Sequence, residues 1–133
     1  SIRPAGSGPA PICLALCWME KAFHPAGGKW TRSHMPRTVL VFLEKNKALA
    51  QEKAEKAMGN YWRAIEGTLD PEKVRNAVDN ALVGDASEIA DEMKKRFHPD
   101  DRLMLWFDFN NHDNSDVKRA MREFMEKVAP KFA

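Results

Sequence analysis

The chain has 133 residues, 44% of them hydrophobic and 30% charged, with 21 Lys and Arg against 19 Asp and Glu for a formal net charge of +2. That is enough apolar residue for one folded domain or part of a larger one, and it excludes an intrinsically disordered chain. The near-neutral balance argues against nucleic acid as the obvious partner, no basic stripe appears along the chain, and the longest apolar stretch, Pro11 to Met19, is far shorter than the roughly 20 residues that span a bilayer. Neither nucleic acid nor membrane is expected as a partner, and the expected location is cytoplasmic.

Residues 1–35 stand apart. They hold four basic side chains (Arg3, Lys21, Lys29, Arg32) against one acid, Glu20, and Gly and Pro recur without any sustained period. They are expected to be a poorly specified leader, and the start at Ser1 reads as a processed or truncated end or as missing upstream sequence. A secretory signal fits poorly, because Pro9 and Pro11 break the apolar run and no small-residue cleavage site follows Trp18. Cys13 and Cys17, four apart with no second pair of ligands, are expected to be buried reduced thiols.

From Pro36 the pattern is regular. Arg37-Thr-Val-Leu-Val-Phe-Leu43 is β-branched and apolar on both faces, the mark of a strand in a covered parallel sheet. Asn46 to about Gly67 predicts a long amphipathic helix, with Leu49, Ala50, Ala54, Ala57, Met58, Tyr61 and Ile65 at helical spacing. Asp70-Pro71-Glu72 announces a second, short helix ending near Asn80, with Asp70 as N-cap. Ala81-Leu82-Val83 reads as a brief strand, and Asp85 with Glu88 forms a capping box for a helix over 86–97 whose stripe is Ile89, Met93 and Phe97.

Arg102 to Phe109 predicts a further strand, with Leu103, Leu105, Phe107 and Phe109 on one face and Met104, Trp106 and Asp108 on the other. Both faces are large and mostly apolar, as in an interior parallel strand. A polar loop follows, and then a helix over 115–128 with Val117, Met121, Phe124 and Val128 as its stripe and Pro130 as its stop. Asn114 or Ser115 is the expected N-cap. Alternating strands and helices of this kind give an α/β fold with parallel strands.

Three segments carry a resemblance. Ala81-Leu-Val-Gly-Asp-Ala-Ser-Glu-Ile-Ala90, Asp101-Arg-Leu-Met-Leu-Trp-Phe-Asp-Phe109 and Val117 through Val128-Ala-Pro-Lys-Phe132 resemble the C-terminal end of the bacterial-luciferase-like flavin-dependent monooxygenases. Pro36 to Leu43 and Ala57-Met-Gly-Asn-Tyr-Trp62 are similar to the strand and helix preceding that end. The resemblance spans about residues 36–132. It implies a (β/α)8 TIM-type barrel, of which residues 36–133 would be the last strands and helices, since such a barrel typically needs about 250 residues.

The resemblance further implies reduced FMN and O2 as reactants, oxygenation of a small organic substrate, and a flavin reductase as partner of the full-length enzyme. Most of the FMN site would lie upstream, so the chain alone is expected to be inactive. Strand C-termini build the active-site face of such barrels, which makes Trp106, Asp108, Asn110, Asn111 and His112 the candidate flavin or substrate wall. No catalytic residue is assigned.

No metal site is expected, because His98 and His112 lack a second ligand at chelating spacing, and no Gly-rich phosphate loop or nucleophile elbow occurs. Met58, Met93, Met104, Met121 and Met125 fall on apolar faces and read as core filling. The alternative from another class is a small non-catalytic α/β interaction module that self-associates through exposed strand edges or its Ala-rich helix.

Overall fold

The computed structural model describes residues 32–68, 70, 72, 75, 79–110 and 112–133. Strand β1 (Arg37–Leu43) is the centre of a three-stranded sheet, with β2 (Leu82–Gly84) on one side and β3 (Leu103–Trp106) on the other, both parallel to it. Helix α1 (Lys47–Ile65) follows β1, α2 (Ala86–Arg96) follows β2 and α3 (Asn114–Lys127) follows β3. The α/β class with parallel strands is as expected.

The two-faced character of β1 organises the core. Val39, Val41 and Leu43 point to one side, where they pack with Leu82, with Ile89, Ala90 and Met93 of α2 and with Ala120 and Phe124 of α3. Leu40 and Phe42 point to the other, against Ala54 and Ala57 of α1. Helices therefore cover both faces, and the strand order is β2-β1-β3. Successive strands of a barrel would be neighbours with their helices on one face only. The described sheet is doubly wound because β1 has an apolar set on each side to bury, and a barrel segment is not shown among the described residues.

Local signals fix the element ends. Asn46 caps α1 by accepting the Leu49 amide at 2.9 Å. Asp85 and Glu88 close the expected capping box on α2, at 2.9 and 3.0 Å. Gly84 has φ of +151°, and a Cβ there would lie 2.9 Å from Glu88 Cβ, so the box is built against a residue that must lack a side chain. α3 begins one residue earlier than expected, with Asp113 rather than Asn114 or Ser115 as its cap. Of the predicted 70–80 helix, residues 72, 75 and 79 are helical, and Asp70 accepts the Glu72 amide at 3.0 Å.

β3 departs most from expectation. Among the described residues it is an edge strand, shorter than the predicted 102–109, and Met104 is 58% and Trp106 49% exposed because α1 packs against β1 and β2 rather than over that half of the sheet. Phe109 does not share a face with Phe107. Phe107 packs edge-on to Phe124 of α3, whereas Phe109 crosses to the α1 side and packs on Phe42 and Tyr61. Met121 and Met125 are exposed rather than buried, as is Leu49 of the α1 stripe.

Four residues of the expected 1–35 leader, 32–35, are among those described. Arg32 is buried in a 3-10 turn (Arg32–His34) and donates to Asp101 Oδ1 at 2.7 Å, while Arg37 reaches Oδ2 at 3.1 Å and the His98 amide donates to the same carboxylate at 2.9 Å. The readings of Cys13, Cys17 and the rest of the leader fall outside the described residues.

Burial by itself raises the Asp101 pKa, but the Arg32 hydrogen bond, the His98 amide and the charges of Arg32 and Arg37 outweigh it, and the net shift is downward. A carboxylate with a depressed native pKa stabilises the fold above its unfolded pKa, about 3.9, and that stabilisation is lost as pH falls through the native value. Urea midpoints are therefore expected to drop below about pH 4, and Asp101→Asn should lower stability at pH 7 while flattening that acid limb.

Candidate functional site

In open α/β sheets the crevice for a ligand lies outside the carboxyl ends of the strands, where the winding direction reverses. Here the reversal falls between β1 and β3, since the chain leaves β1 toward β2 and returns across it to β3. A cleft of about 160 Å³ opens at that place. Val41, Phe42, Leu43 and Phe107 form its apolar lining, and Lys53, Lys56 and Asn60 of α1, Asn110 of the β3–α3 loop and Asp116 of α3 provide the polar one.

An ion-pair cluster ties the three elements together beside the cleft. Glu44, the first residue after β1, accepts from Lys53 at 2.6 Å and from Arg119 at 3.0 Å. Lys53 also bridges to Asp116, and Arg119 contacts Asp116 at 3.0 Å and Glu123 at 2.9 Å while donating to the Leu43 carbonyl at 3.0 Å. The Lys53 ammonium is thus shared by two carboxylates, and the Arg119 guanidinium by three and a carbonyl. This arrangement holds helices to the end of β1 and leaves neither cation as a ready phosphate receptor.

The loop after β3 carries two residues in the left-handed region, Asn110 (φ 54°) and His112 (φ 55°). Asn tolerates that conformation, whereas His pays some strain. Asp108 Oδ1 accepts the His112 amide at 3.1 Å and so steadies the turn. The Asn60 amide lies 3.5 Å from the Asn110 carbonyl, linking the loop to α1.

Of the five residues expected to form one wall, Asn110 lines the cleft. Trp106 lies on the open α1-side face of β3, edge-on to Phe109 at 5.8 Å, and Asp108 and His112 are exposed in the turn. Asn111 is outside the described residues. Sequence reading did not single out Glu44, Lys53 or Arg119. A usable signal was present for Glu44, which is the first polar residue after a strand apolar on both faces and so must sit at the strand's C-terminal end. Lys53 and Arg119 carry no such signal, since surface helices are full of like residues.

The residues present do not fit the flavin that the resemblance implies. Small-molecule pockets run to about 300–1,000 Å³, well above this cleft, and of the two lysines lining it Lys53 is already shared by Glu44 and Asp116, which leaves Lys56 alone to meet an FMN phosphate. A second, open cavity of about 400 Å³ lies between α1 and α2, but Asp79, Glu88 and Glu92 line it beside Lys47 and Arg96, which suits no phosphate. Among the described residues no group of three or more His, Cys, Asp or Glu side chains is placed to hold a metal ion, and no helix is long and apolar enough to cross a membrane. Comparisons with protein-family models, with curated proteins and with solved structures return no match.

Because Lys53 separates Glu44 from Asp116, Lys53→Met should lower the free energy of unfolding by about 1 kcal/mol at low ionic strength. The loss should shrink in about 0.5 M salt, where screening weakens both the lost attraction and the new carboxylate repulsion. Urea unfolding at the two ionic strengths reads this directly.

Proposed function

We propose that this chain is the C-terminal portion of a luciferase-like flavin-dependent monooxygenase, contributing sheet and closing helix while residues outside it hold the flavin. The observation that carries the reading is where the resembling residues fall. Leu82-Val-Gly84 runs into the capping box of α2, Leu103 to Phe109 makes the last strand and its turn, and Val117 to Val128 makes the last helix before Pro130, in the family's order. The half-open sheet face at Met104 and Trp106 is consistent with further polypeptide covering it. In this reading the barrel, the reductase partner and the cytoplasmic location belong to the whole enzyme.

The test is the coding sequence upstream of Ser1. An open frame continuing for on the order of 150–200 residues with further strand and helix units supports the reading, and an in-frame stop beside Ser1 removes it. The chain alone should leave FMN fluorescence unquenched, because the flavin site lies elsewhere. Tight quenching by the isolated chain would contradict that assignment.

The strand order favours a second reading. A sheet wound in the order β2-β1-β3 with helices on both faces, whose β3 has no second neighbour among the described residues, suits a non-catalytic module that self-associates through that edge.

A further inference from the structure

Among the described residues β3 has one neighbour, β1. The Arg102 carbonyl accepts the Arg37 amide at 2.9 Å, so it points inward, toward β1. In an extended strand the N–H and C=O of one residue lie on the same side, and the sides alternate. Residues 102, 104 and 106 therefore address β1, and Leu103 and Leu105 present their backbone groups to the open edge. Exposure alternates in step from Asp101 to Asp108: Arg102, Met104, Trp106 and Asp108 are exposed, and Leu103, Leu105 and Phe107 half-buried.

We propose that this edge is a homodimer interface, in which β3 of one copy pairs antiparallel with β3 of a second copy about a two-fold axis at Leu105. The register follows from the residues. With the axis at Leu105, that residue faces its own counterpart and Leu103 faces Phe107, and these are the positions whose backbone groups point outward. Met104 then faces Trp106, and Arg102 faces Asp108, each pair occurring twice. Met104 and Trp106 fall at the non-hydrogen-bonded positions, where side chains approach most closely and a thioether meets an indole favourably.

Charge complementarity selects a second copy as the occupant. Arg102 and Asp108 carry opposite charges at equal distances on either side of Leu105, which is the self-complementarity a two-fold interface requires. An axis moved to Met104 sets Arg102 against Trp106, and one moved to Trp106 sets it against Asn110, so each shift loses the ion pair. Pairing about Leu105 joins two three-stranded sheets into one of six and covers the exposed apolar pair, the two liabilities of a bare edge strand. The inference deepens the self-association reading and rests on it.

The test uses the full chain and two variants, R102D and D108R. Sedimentation velocity over a concentration series should find the wild type in a monomer–dimer equilibrium. Each variant alone places like charges opposite one another twice per dimer and should weaken dimerisation about tenfold or more. Mixed in equal amounts, the R102D chain and the D108R chain restore both opposite-charge pairs and should dimerise with each other near the wild-type affinity. Matching circular dichroism of the three proteins confirms that folding is unchanged. A wild-type dimer that neither variant weakens, or a mixture that stays monomeric, overturns the β3 surface and leaves self-association by another face. A monomeric wild type overturns both.

Discussion

Seven residues, Arg37 to Leu43, set the constraint on which the rest of the molecule depends. Five of them, Val39 to Leu43, are buried, and they alternate between two apolar clusters on opposite sides of the sheet. A strand of that kind cannot face water on either side, so one helix must cross over one face and two over the other. The chain meets the demand by sending α1 one way to β2 and returning past β1 to β3 through α2. The central place of β1 and the reversal of winding beside it are two statements of the same requirement, and the reversal creates the cleft.

Polar contacts then fasten the layers at both ends of β1. At its start Asp101 gathers Arg32, Arg37 and the His98 amide. At its end Glu44 gathers Lys53 and Arg119, one from each helix-covered side. Both clusters are carboxylates placed where a strand begins or ends, and in both the burial cost of the acid is offset by cations, Arg32 and Arg37 for Asp101 and Lys53 and Arg119 for Glu44. They position rather than react, which agrees with the sharing of Lys53 beside the cleft between two carboxylates.

Much of the local structure was legible from residue type alone. Asp85 and Glu88 lie at capping-box spacing and make that box, and the two-faced strand and the alternating elements predict a parallel α/β sheet. What was not legible was which strand lies in the middle. Periodicity reports that β3 has large apolar residues on both faces, but not that Met104 and Trp106 face an uncovered half-sheet, because that depends on how far α1 reaches. Strict alternation also fails at Phe109, because the strand ends at Trp106 and the ring beyond it packs on Phe42 and Tyr61 on the α1 side. For the candidate site, Asn110 was found because loops after parallel strands gather at one end, and Lys53 and Arg119 were missed because their partners are set by tertiary proximity.

The crossing of Phe109 has an optical consequence. Tyr61 is the single tyrosine of the chain, and its ring centroid lies 4.9 Å from that of Phe109, whose other aromatic neighbours are Phe42 and Trp106. The phenol of α1 is therefore a built-in chromophore at the turn that closes the cleft. With Trp106 on the other side of Phe109, the near-ultraviolet aromatic band would register whether that turn stays docked when the cleft or the β3 edge is engaged, with no label attached.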